Sequence, residues 1–293
     1  MPDWLSLESD RLRLRVSPRG GAVVDGYTND GRPFLRPYRG KSAFDVTDCA
    51  CFPLVPIGNR VEANAFSFAG RRFALTPSAL DPLYIHGDGW LGTWQVATQR
   101  EDLIELVFDR PAGEGSPFAY RVRQTFWLTG VRLELAMSVT NTGETALPFG
   151  LGFHPYFPRT PFTTLLAPAR DWWSERSGHL PGERIALSDD VNFSTPRRLP
   201  QRWLNNGFEG WNRVARIVWL EQKLGLDIEA TPALGRYVLY APDSDRSFFC
   251  FEPMSHTPNA LQHVDTDPMG LRILSPGENF DAGFAMTVFD WSE

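Results

Sequence analysis

Two of the five histidines lie in segments that combine glycine with aromatic residues. His86 belongs to the segment 84–90 (YIHGDGW), where an extended stretch runs into glycine-rich backbone beside a tryptophan. His154 belongs to the segment 150–157 (GLGFHPYF), in which Pro155 fixes the chain and two aromatic residues after it, Tyr156 and Phe157, are expected to wall the histidine. A buried structural histidine explains one such segment. Two of them indicate a site that handles protons, because histidine is the commonest general acid or base in enzymes.

A carboxylate and a guanidinium are the other candidates for chemistry. Glu252 follows the apolar segment 248–251 (FFCF) and precedes Pro253. Burial there predicts a raised pKa, in a range useful for a general base; the alternative is a glutamate at a strand end that faces water. Asn59 and Arg60 follow a glycine, and a guanidinium suits hydroxyl or carboxylate groups. A surface arginine is the alternative.

The other three histidines show no ligand spacing for a metal. His256 is close to Glu252 in the sequence and is a candidate to line the same site. His179, in a Ser-Gly-His-Leu-Pro loop, is expected to face solvent. His263 has no neighbours that define a role. We therefore expect no metal site and no cofactor.

Cysteine usage and the N-terminus predict a cytoplasmic protein. Three cysteines cannot form a disulfide framework, and Cys49 and Cys51 lack the second pair that a structural zinc site requires. The segment 1–4 (MPDW) does not resemble a signal peptide. No run of about 18 apolar residues is present to span a membrane.

The charge balance and the aromatic content limit the classes of partner that the chain is expected to bind. With 29 basic and 35 acidic residues the chain carries a formal charge of −6, which offers no basic surface for nucleic acid. The 10 Trp, 7 Tyr and 21 Phe make up 13% of the residues. Aromatic rings stack on sugars, but they also fill the cores of β proteins, so only those near catalytic candidates support a sugar site.

Alternation of apolar and polar residues is the main pattern of the chain. It is clearest over 131–139, and the segment 66–75 predicts a hairpin with Ala69 and Gly70 in its turn. No segment sustains a helical period over 15 positions, and 25 Gly and 24 Pro interrupt the pattern. Further short strands are predicted at 12–15, 103–108, 120–127, 214–219, 224–229, 236–241, 247–252 and 284–289.

Many short strands joined by tight turns predict an all-β protein, a sandwich of antiparallel sheets. No linker or repeat is visible, so we expect one domain over 1–293. The stretch 169–212 shows few clean alternations. A long irregular insertion in a β protein is a lid, a loop that lines a site, or packing over a sheet edge.

Several of these segments occur together, in one order, in a known family. The chain resembles the aldose 1-epimerases, or galactose mutarotases, over about 10–290. The resemblance implies a single β-supersandwich domain with a sugar-binding cleft across one large sheet, and a monosaccharide as the partner without metal or cofactor. The motifs that carry it are Asn59-Arg60, the hairpin at 66–75, His86-Gly87, the segment 152–157 (GFHPYF) and the segment 251–253 (FEP).

The resemblance also implies roles for individual residues. The catalytic base of the family matches Glu252, and its catalytic acid matches His154. The ligands of the sugar hydroxyls match Arg60 and His86. Where the family places an acidic residue before a phenylalanine, this chain has Asn205, and that departure puts galactose or glucose as the natural substrate in doubt. The family also implies a site aromatic at Trp211, and Asn59 accompanies Arg60.

The implied reaction is the interconversion of α and β anomers. A base removes the proton of the C1 hydroxyl while an acid protonates the ring oxygen; the ring opens, C1 turns, and the ring closes on the other face. We expect Glu252 and His154 to converge over one hollow, on different sides of the anomeric carbon, with room for a pyranose between them. The oligomeric state stays open.

Three other functions are compatible with some of these residues. A hexose-6-phosphate mutarotase would need cations for the phosphate, for which Arg71-Arg72 and Arg197-Arg198 are available. A sugar-binding protein without turnover is favoured by Asn205. A glycoside hydrolase needs two carboxylates that flank the bond, and no convincing partner of Glu252 is visible in the sequence.

Overall fold

The computed structural model describes residues 4–40, 43–78, 80–113 and 115–292. Residues 1–3, on which the interpretation of the N-terminus rests, lie outside these ranges. The regular structure of the described residues consists of β-strands and six 3-10 helices of three residues each. None of the helices in the described ranges is long and apolar enough to cross a membrane.

Twenty-five strands are numbered in chain order. They are β1 Leu5–Glu8, β2 Leu12–Ser17, β3 Ala22–Thr28, β4 Cys51–Leu54, β5 Arg60–Val61, β6 Ala65–Phe68, β7 Arg71–Ala74, β8 Tyr84–Ile85, β9 Gln95–Gln99, β10 Leu103–Arg110, β11 Tyr120–Thr129, β12 Arg132–Asn141, β13 Leu147–Phe149, β14 Gly152–Pro158, β15 Thr164–Leu166, β16 Asp171–Arg176, β17 Leu180–Ala186, β18 Arg197–Arg198, β19 Leu204–Glu209, β20 Val214–Trp219, β21 Leu224–Ala230, β22 Arg236–Ala241, β23 Phe248–Met254, β24 Arg272–Leu274 and β25 Asn279–Asp290. The 3-10 helices are Val46–Asp48, Glu62–Asn64, Gly89–Leu91, Asp189–Val191, Leu220–Gln222 and Ala260–Gln262.

Two large antiparallel sheets form the sandwich. One has the order β1-β2-β3-β4-β14-β23-β22-β19-β16-β17, and the other β18-β15-β20-β21-β25-β12-β11-β10-β9. Three two-stranded sheets, β13-β24, β5-β8 and β6-β7, complete the described topology. The prediction of an all-β sandwich of antiparallel sheets is therefore confirmed.

The main core lies between the two large sheets. Phe153 on β14 contacts Phe284 on β25 across the interface, with ring centroids 4.9 Å apart. Successive side chains of β12 point alternately into this core and towards the surface, as the sequence pattern predicts. Burial of a continuous apolar layer between two sheets is the main stabilising term of such a fold.

A second, smaller core covers the other face of the ten-stranded sheet. Its members lie on the five adjacent strands β3, β4, β14, β23 and β22 and on the segments above them, and include Phe52, Tyr156, Cys250 and Met254. Because both faces of β14 and β23 are covered, every residue of these two strands is buried. A polar side chain on this outer face is therefore removed from water.

The stretch 169–212 is more regular than its sequence indicates. It contains the hairpin β16–β17, the short strand β18 and strand β19. Strands β19, β16 and β17 form one end of the ten-stranded sheet, and β18 lies at an edge of the other large sheet. A bulge between Trp173 and Glu175 interrupts the β16–β17 register, which explains why the alternation is hard to recognise. The expectation of an irregular insertion is therefore wrong.

Candidate active site

His154 and Glu252 form a cross-strand pair at the centre of the ten-stranded sheet. Strands β14 and β23 are neighbours, and their register pairs Gly152 with Met254 and Tyr156 with Cys250, so that His154 stands opposite Glu252. Both side chains point to the outer face, and His154 Nε2 lies 3.4 Å from Glu252 Oε1. The pairing of β14 with β23 thus brings together two residues that are 98 positions apart in the chain.

Burial controls the electrostatics of this pair. The His154 and Glu252 side chains are only 8% and 3% exposed. Burial raises the pKa of Glu252 to about 8, against the opposing charge of Arg60. Burial also lowers the pKa of His154 to about 3. At neutral pH the pair therefore holds one proton, and the raised pKa that the sequence predicted for Glu252 is confirmed.

Two polar atoms of the pair have no protein partner. They are Glu252 Oε2 and His154 Nδ1, both buried. Buried polar atoms normally find a hydrogen-bond partner, because an unmade bond costs about 1–3 kcal/mol. Such atoms at the bottom of a pocket indicate groups reserved for a ligand rather than for the fold.

Two neighbouring aromatic rings pack against the His154 imidazole. The Tyr156 ring stacks on it at 4.7 Å between centroids, and the Phe52 ring of β4 lies 4.4 Å from it. Phe157, which the sequence suggested as a second wall, faces the core between the sheets because side chains alternate along the strand. The buried Arg36 guanidinium lies 3.7 Å from the centre of the Tyr156 ring.

Arg60 and His86 enter the pocket from the small β5–β8 ladder, in which Arg60 pairs with Ile85. Asp81 accepts hydrogen bonds from Arg60 Nε at 3.0 Å and from Nη2 at 2.8 Å, which fixes the guanidinium. Asn59 orders both partners: its Oδ1 accepts from the Arg60 backbone N–H, and its own N–H donates to His86 Nδ1 at 3.2 Å. His86 Nε2 then carries the ring proton and can donate to a hydroxyl.

The glycine after His86 allows this segment to approach β4. The backbone N–H groups of Asp88 and Gly89 donate to the carbonyl of Val55, at the end of β4. A Cβ atom at Gly87 would lie 2.2 Å from that carbonyl oxygen, so no other residue fits there without displacing backbone. The His86 and His154 rings consequently meet edge to face at 5.0 Å.

The opposite wall comes from the stretch 169–212 and from β22. His179, at the turn of the β16–β17 hairpin, packs on Trp203 at 5.3 Å, and Trp203 contacts Tyr240 edge to face, also at 5.3 Å. Glu175 accepts hydrogen bonds from Trp203 Nε1 at 2.8 Å and contacts His179 Nδ1. Asn205, paired with Tyr240 in the sheet, completes the wall.

These side chains enclose a pocket of about 140 Å³. Sites for drug-sized ligands measure about 300–1,000 Å³, so this pocket suits a ligand of monosaccharide size. Four larger hollows among the described residues are not lined by a histidine. The lining residues are Asn59, Arg60, Ile85, His86, His154, His179, Trp203, Asn205, Tyr240 and Glu252.

Comparison with known proteins identifies the family of this chain. The family model described as aldose 1-epimerase matches residues 3–287. The chain belongs to this family. An uncharacterized protein of Escherichia coli K12, YphB, is 41% identical over 294 residues, which cover 98% of both chains.

Solved structures show the same fold. The crystal structure of a candidate aldose 1-epimerase from Escherichia coli K12 superposes with a TM-score of 0.92 at 38% identity, and covers 98% of this chain and 99% of the other. A galactose 1-epimerase from Lactobacillus acidophilus NCFM gives a TM-score of 0.81 at 16% identity, over 99% of this chain and 95% of the other. The β-supersandwich implied by the resemblance is therefore confirmed.

The structure of this epimerase-family protein brings six of the seven proposed site residues to one pocket. Glu252, His154, Arg60, His86, Asn205 and Asn59 all line it. Glu252 and His154 do converge, but they contact each other directly, so the expectation of a sugar lying between them is wrong. Only a ligand that lies over the pair, on its pocket side, could contact both groups.

Trp211 is the seventh proposed residue, and its placement at the sugar site is wrong. Its indole is buried against Phe251 at 5.3 Å and Tyr237 at 5.8 Å, and its Nε1 donates to the Val214 carbonyl. Phe251 faces the core between the sheets, whereas its neighbour Glu252 faces the pocket. Trp211 therefore lies on the opposite face of the sheet from the site.

His256 does not line the pocket either. Its Nε2 accepts a hydrogen bond from the Gly58 N–H at 2.9 Å, and its Nδ1 donates to the Thr257 carbonyl. Burial lowers the pKa of His256 to about 4, which keeps the ring neutral. Its role is to brace the loop before Asn59.

Sequence reasoning missed His179, Trp203 and Tyr240. Trp203 precedes Asn205 by two residues, so the period of a strand places both on one face; that signal was available. Tyr240 lies in a predicted strand, but only the pairing of β22 with β19 brings it beside Asn205. His179 is half exposed, as expected, and still reaches the site because its hairpin folds towards Trp203.

One group of side chains in the described residues has the composition of a metal site. His154, Cys250 and Glu252 each offer one ligand atom, and these atoms lie within 4.8 Å of one another. Cys250 was interpreted from the sequence only as part of an apolar strand. The expectation of no cofactor stays a prediction.

Proposed function

We propose that this protein is an aldose 1-epimerase that interconverts the α and β anomers of a free hexose. The contact between Glu252 and His154, at the floor of a pocket of monosaccharide size, carries the proposal. The family assignment supports the reaction type. The arrangement supplies an acid, a base and hydroxyl-binding groups in one place, as this reaction requires.

The proposed reaction moves two protons at neighbouring oxygens. Glu252 removes the proton from the C1 hydroxyl, and His154 gives a proton to the ring oxygen as its bond to C1 breaks. The resulting aldehyde turns about the C1–C2 bond, and the reverse transfers close the ring on its other face. Both oxygens are bonded to C1, so two groups 3.4 Å apart on one side of the sugar can reach them.

One proton in the pair is sufficient for this cycle. Burial places this proton on Glu252 at rest, so it must pass to His154 before Glu252 can act as the base of ring opening; ring closure begins with the proton on Glu252. Both states have the same net charge, so the proton moves within the pair without exchange with solvent. Loss of that proton, or gain of a second, removes the acid or the base.

The remaining pocket residues hold the sugar while C1 turns. Arg60, fixed by Asp81, presents its remaining N–H groups to hydroxyls, and His86 donates from Nε2. The amide of Asn205 can donate or accept, so it can replace a carboxylate as a hydroxyl ligand. Trp203 and Tyr240 offer ring faces for the C–H face of the sugar.

The positions of the arginines favour a free sugar over a hexose 6-phosphate. Arg71 and Arg72 lie exposed on the β6–β7 hairpin, and Arg197 and Arg198 lie exposed on β18, at an edge of the other large sheet. Among the described lining residues Arg60 is the only arginine or lysine, and Asp81 neutralises it. The lining also contains a single carboxylate, whereas a glycoside hydrolase needs two.

Polarimetry on freshly dissolved α-glucose, α-galactose and glucose 6-phosphate tests the proposal. We expect acceleration of the rotation change with at least one free hexose and a much smaller effect with the phosphate. Calorimetric binding of a hexose without any acceleration would instead support a sugar-binding protein, the alternative favoured by Asn205. The cytoplasmic location and the absence of a nucleic-acid partner stay predictions, and the oligomeric state stays open.

A further inference from the structure

Cys250 lies directly beside the proposed catalytic pair. It precedes Glu252 by two residues on β23, so both side chains point to the outer face of the ten-stranded sheet. Across the sheet it pairs with Tyr156, two residues from His154 on β14. The thiol is fully buried and free of any disulfide.

We propose that His154, Cys250 and Glu252 form a binding site for a thiophilic divalent cation such as Zn²⁺, and that the bound ion blocks the epimerase reaction. The binding part stands on the geometry of the three side chains. The inhibitory part rests on the proposed function.

The ligand set is one that zinc prefers. An imidazole nitrogen, a thiolate and a carboxylate are its usual protein ligands, at about 2.0–2.3 Å from the ion. Ligand atoms around a tetrahedral zinc are therefore about 3.5 Å apart. The three atoms here lie within 4.8 Å of one another, and His154 Nε2 and Glu252 Oε1 are already 3.4 Å apart. Side-chain shifts of about 1 Å or less close the set.

The site is accessible from the pocket through two of its three side chains, although the Cys250 thiol is fully buried, and it is poorly satisfied without a ligand. Glu252 and His154 line the pocket, so a hydrated ion can enter by the route proposed for the sugar. Glu252 Oε2 and His154 Nδ1 have no protein partner. Three protein ligands leave a fourth position for water on the pocket side, as in an open zinc site.

Binding would remove the acid and the base together. The ion would occupy the carboxylate and the Nε2 lone pair, and the thiol proton and the proton of the pair would pass to solvent. Neither group could then transfer a proton to or from C1. We therefore expect inhibition that is competitive with the sugar.

Co²⁺ provides a test that does not depend on activity. Titrated into metal-free protein, Co²⁺ should produce a thiolate-to-cobalt absorption band. The band should disappear in Cys250→Ser and Cys250→Ala and persist in Cys49→Ser, a matched change at another buried cysteine of the same smaller core. No band in the wild type, or an unchanged band in correctly folded Cys250→Ala, would overturn the binding site.

Polarimetry with Zn²⁺ tests the inhibition. Zn²⁺ should inhibit the wild type and Cys49→Ser, and EDTA should restore their activity. Both Cys250 variants should keep their basal activity and need about tenfold more Zn²⁺ or higher for the same inhibition. Equal sensitivity of wild type and Cys250 variants would overturn the inhibition. If no sugar is turned over, the proposed function fails, and the Co²⁺ titration still decides whether the ion binds.

Discussion

Two glutamate–histidine pairs, one inside the pocket and one supporting its wall, differ in their surroundings. The Glu252–His154 pair lies on adjacent central strands, with side chains 3% and 8% exposed. The Glu175–His179 pair lies on the edge hairpin β16–β17, with side chains 23% and 50% exposed. Glu175 also accepts a hydrogen bond from Trp203, whereas Glu252 keeps one oxygen without a partner.

The comparison shows that environment, rather than residue type, assigns the chemistry. Burial without partners shifts both pKa values of the inner pair, so a proton is held between two groups of altered basicity. The outer pair is solvated and tied into the wall that carries Trp203. We therefore assign proton transfer to the inner pair and positioning of the sugar to the outer pair.

Removing the inner pair should have the largest effect. Glu252→Gln and His154→Asn should each lower kcat by about 10²–10⁴-fold, because each deletes a positioned acid or base. The matched changes Glu175→Gln and His179→Asn should alter KM more than kcat, because their groups hold the wall and do not reach C1. Polarimetry over a range of sugar concentrations up to saturation measures both values.

The assignment of roles would be reversed by one pattern of results. If His179→Asn or Glu175→Gln abolished turnover while the Glu252 or His154 variant retained it, the inner pair would not be the catalytic one. Circular dichroism of each variant separates loss of chemistry from loss of fold.

Arg60 allows the holding function to be separated from the chemistry. Arg60→Ala should raise KM by about 10–100-fold with a smaller change in kcat, because hydrogen bonds from a charged donor contribute about 1.5–3 kcal/mol. Asp81→Asn, which keeps the guanidinium but weakens its anchor, should give a smaller rise. A fall in kcat as large as that of Glu252→Gln would place Arg60 in the proton-transfer step.

The strands and turns of the fold could be predicted from the sequence because the patterns that specify them involve residues close together in the chain. Alternation in β12 and the glycine turn between β6 and β7 depend on neighbours along the chain, and both are present as predicted. The bulge in β16 breaks the alternation without breaking the strand, which is why 169–212 was misjudged. Local patterns thus identify strands but not irregularities within them.

The site could be predicted only in part, because the pairing register of distant strands brings its residues together. The family resemblance supplied Glu252, His154, Arg60 and His86, but nothing local indicates that a histidine faces a glutamate 98 residues away at 3.4 Å. Trp211 shows the opposite error: a plausible aromatic lies on the wrong face of the sheet. The pairing that selects a face is a property of the assembled sheet.

The pH dependence of activity should follow the proton of the inner pair. Above the pKa of about 8 of Glu252 the pair loses its only proton, and kcat/KM should fall about tenfold per pH unit. Below that value activity should persist to well under pH 6.5, because burial lowers the pKa of His154 to about 3. Polarimetry corrected for uncatalysed mutarotation gives the profile. A midpoint near pH 6.5 would instead contradict the assignment of the proton to the buried pair.

The smallest expected effect is on stability, and it has opposite signs for the two pairs. Glu252 has a folded pKa of about 8 against 4.5 in the unfolded chain, so between these values the folded state keeps a proton that the unfolded state loses. The wild type therefore loses stability as the pH rises from 4.5 to about 8, and this contribution is absent in Glu252→Gln. At about 1.4 kcal/mol per pKa unit, the free energy of unfolding of the variant should exceed that of the wild type by a few kcal/mol more at pH 8 than at pH 4.5. This corresponds to several degrees in Tm, with no further increase above pH 8.

Glu175→Gln should lower Tm instead, since it weakens the contacts with Trp203 and His179. Thermal unfolding of both variants from about pH 5 to 9 measures the difference, and a Tm gap for Glu252→Gln that does not widen with pH would show that burial does not raise this pKa.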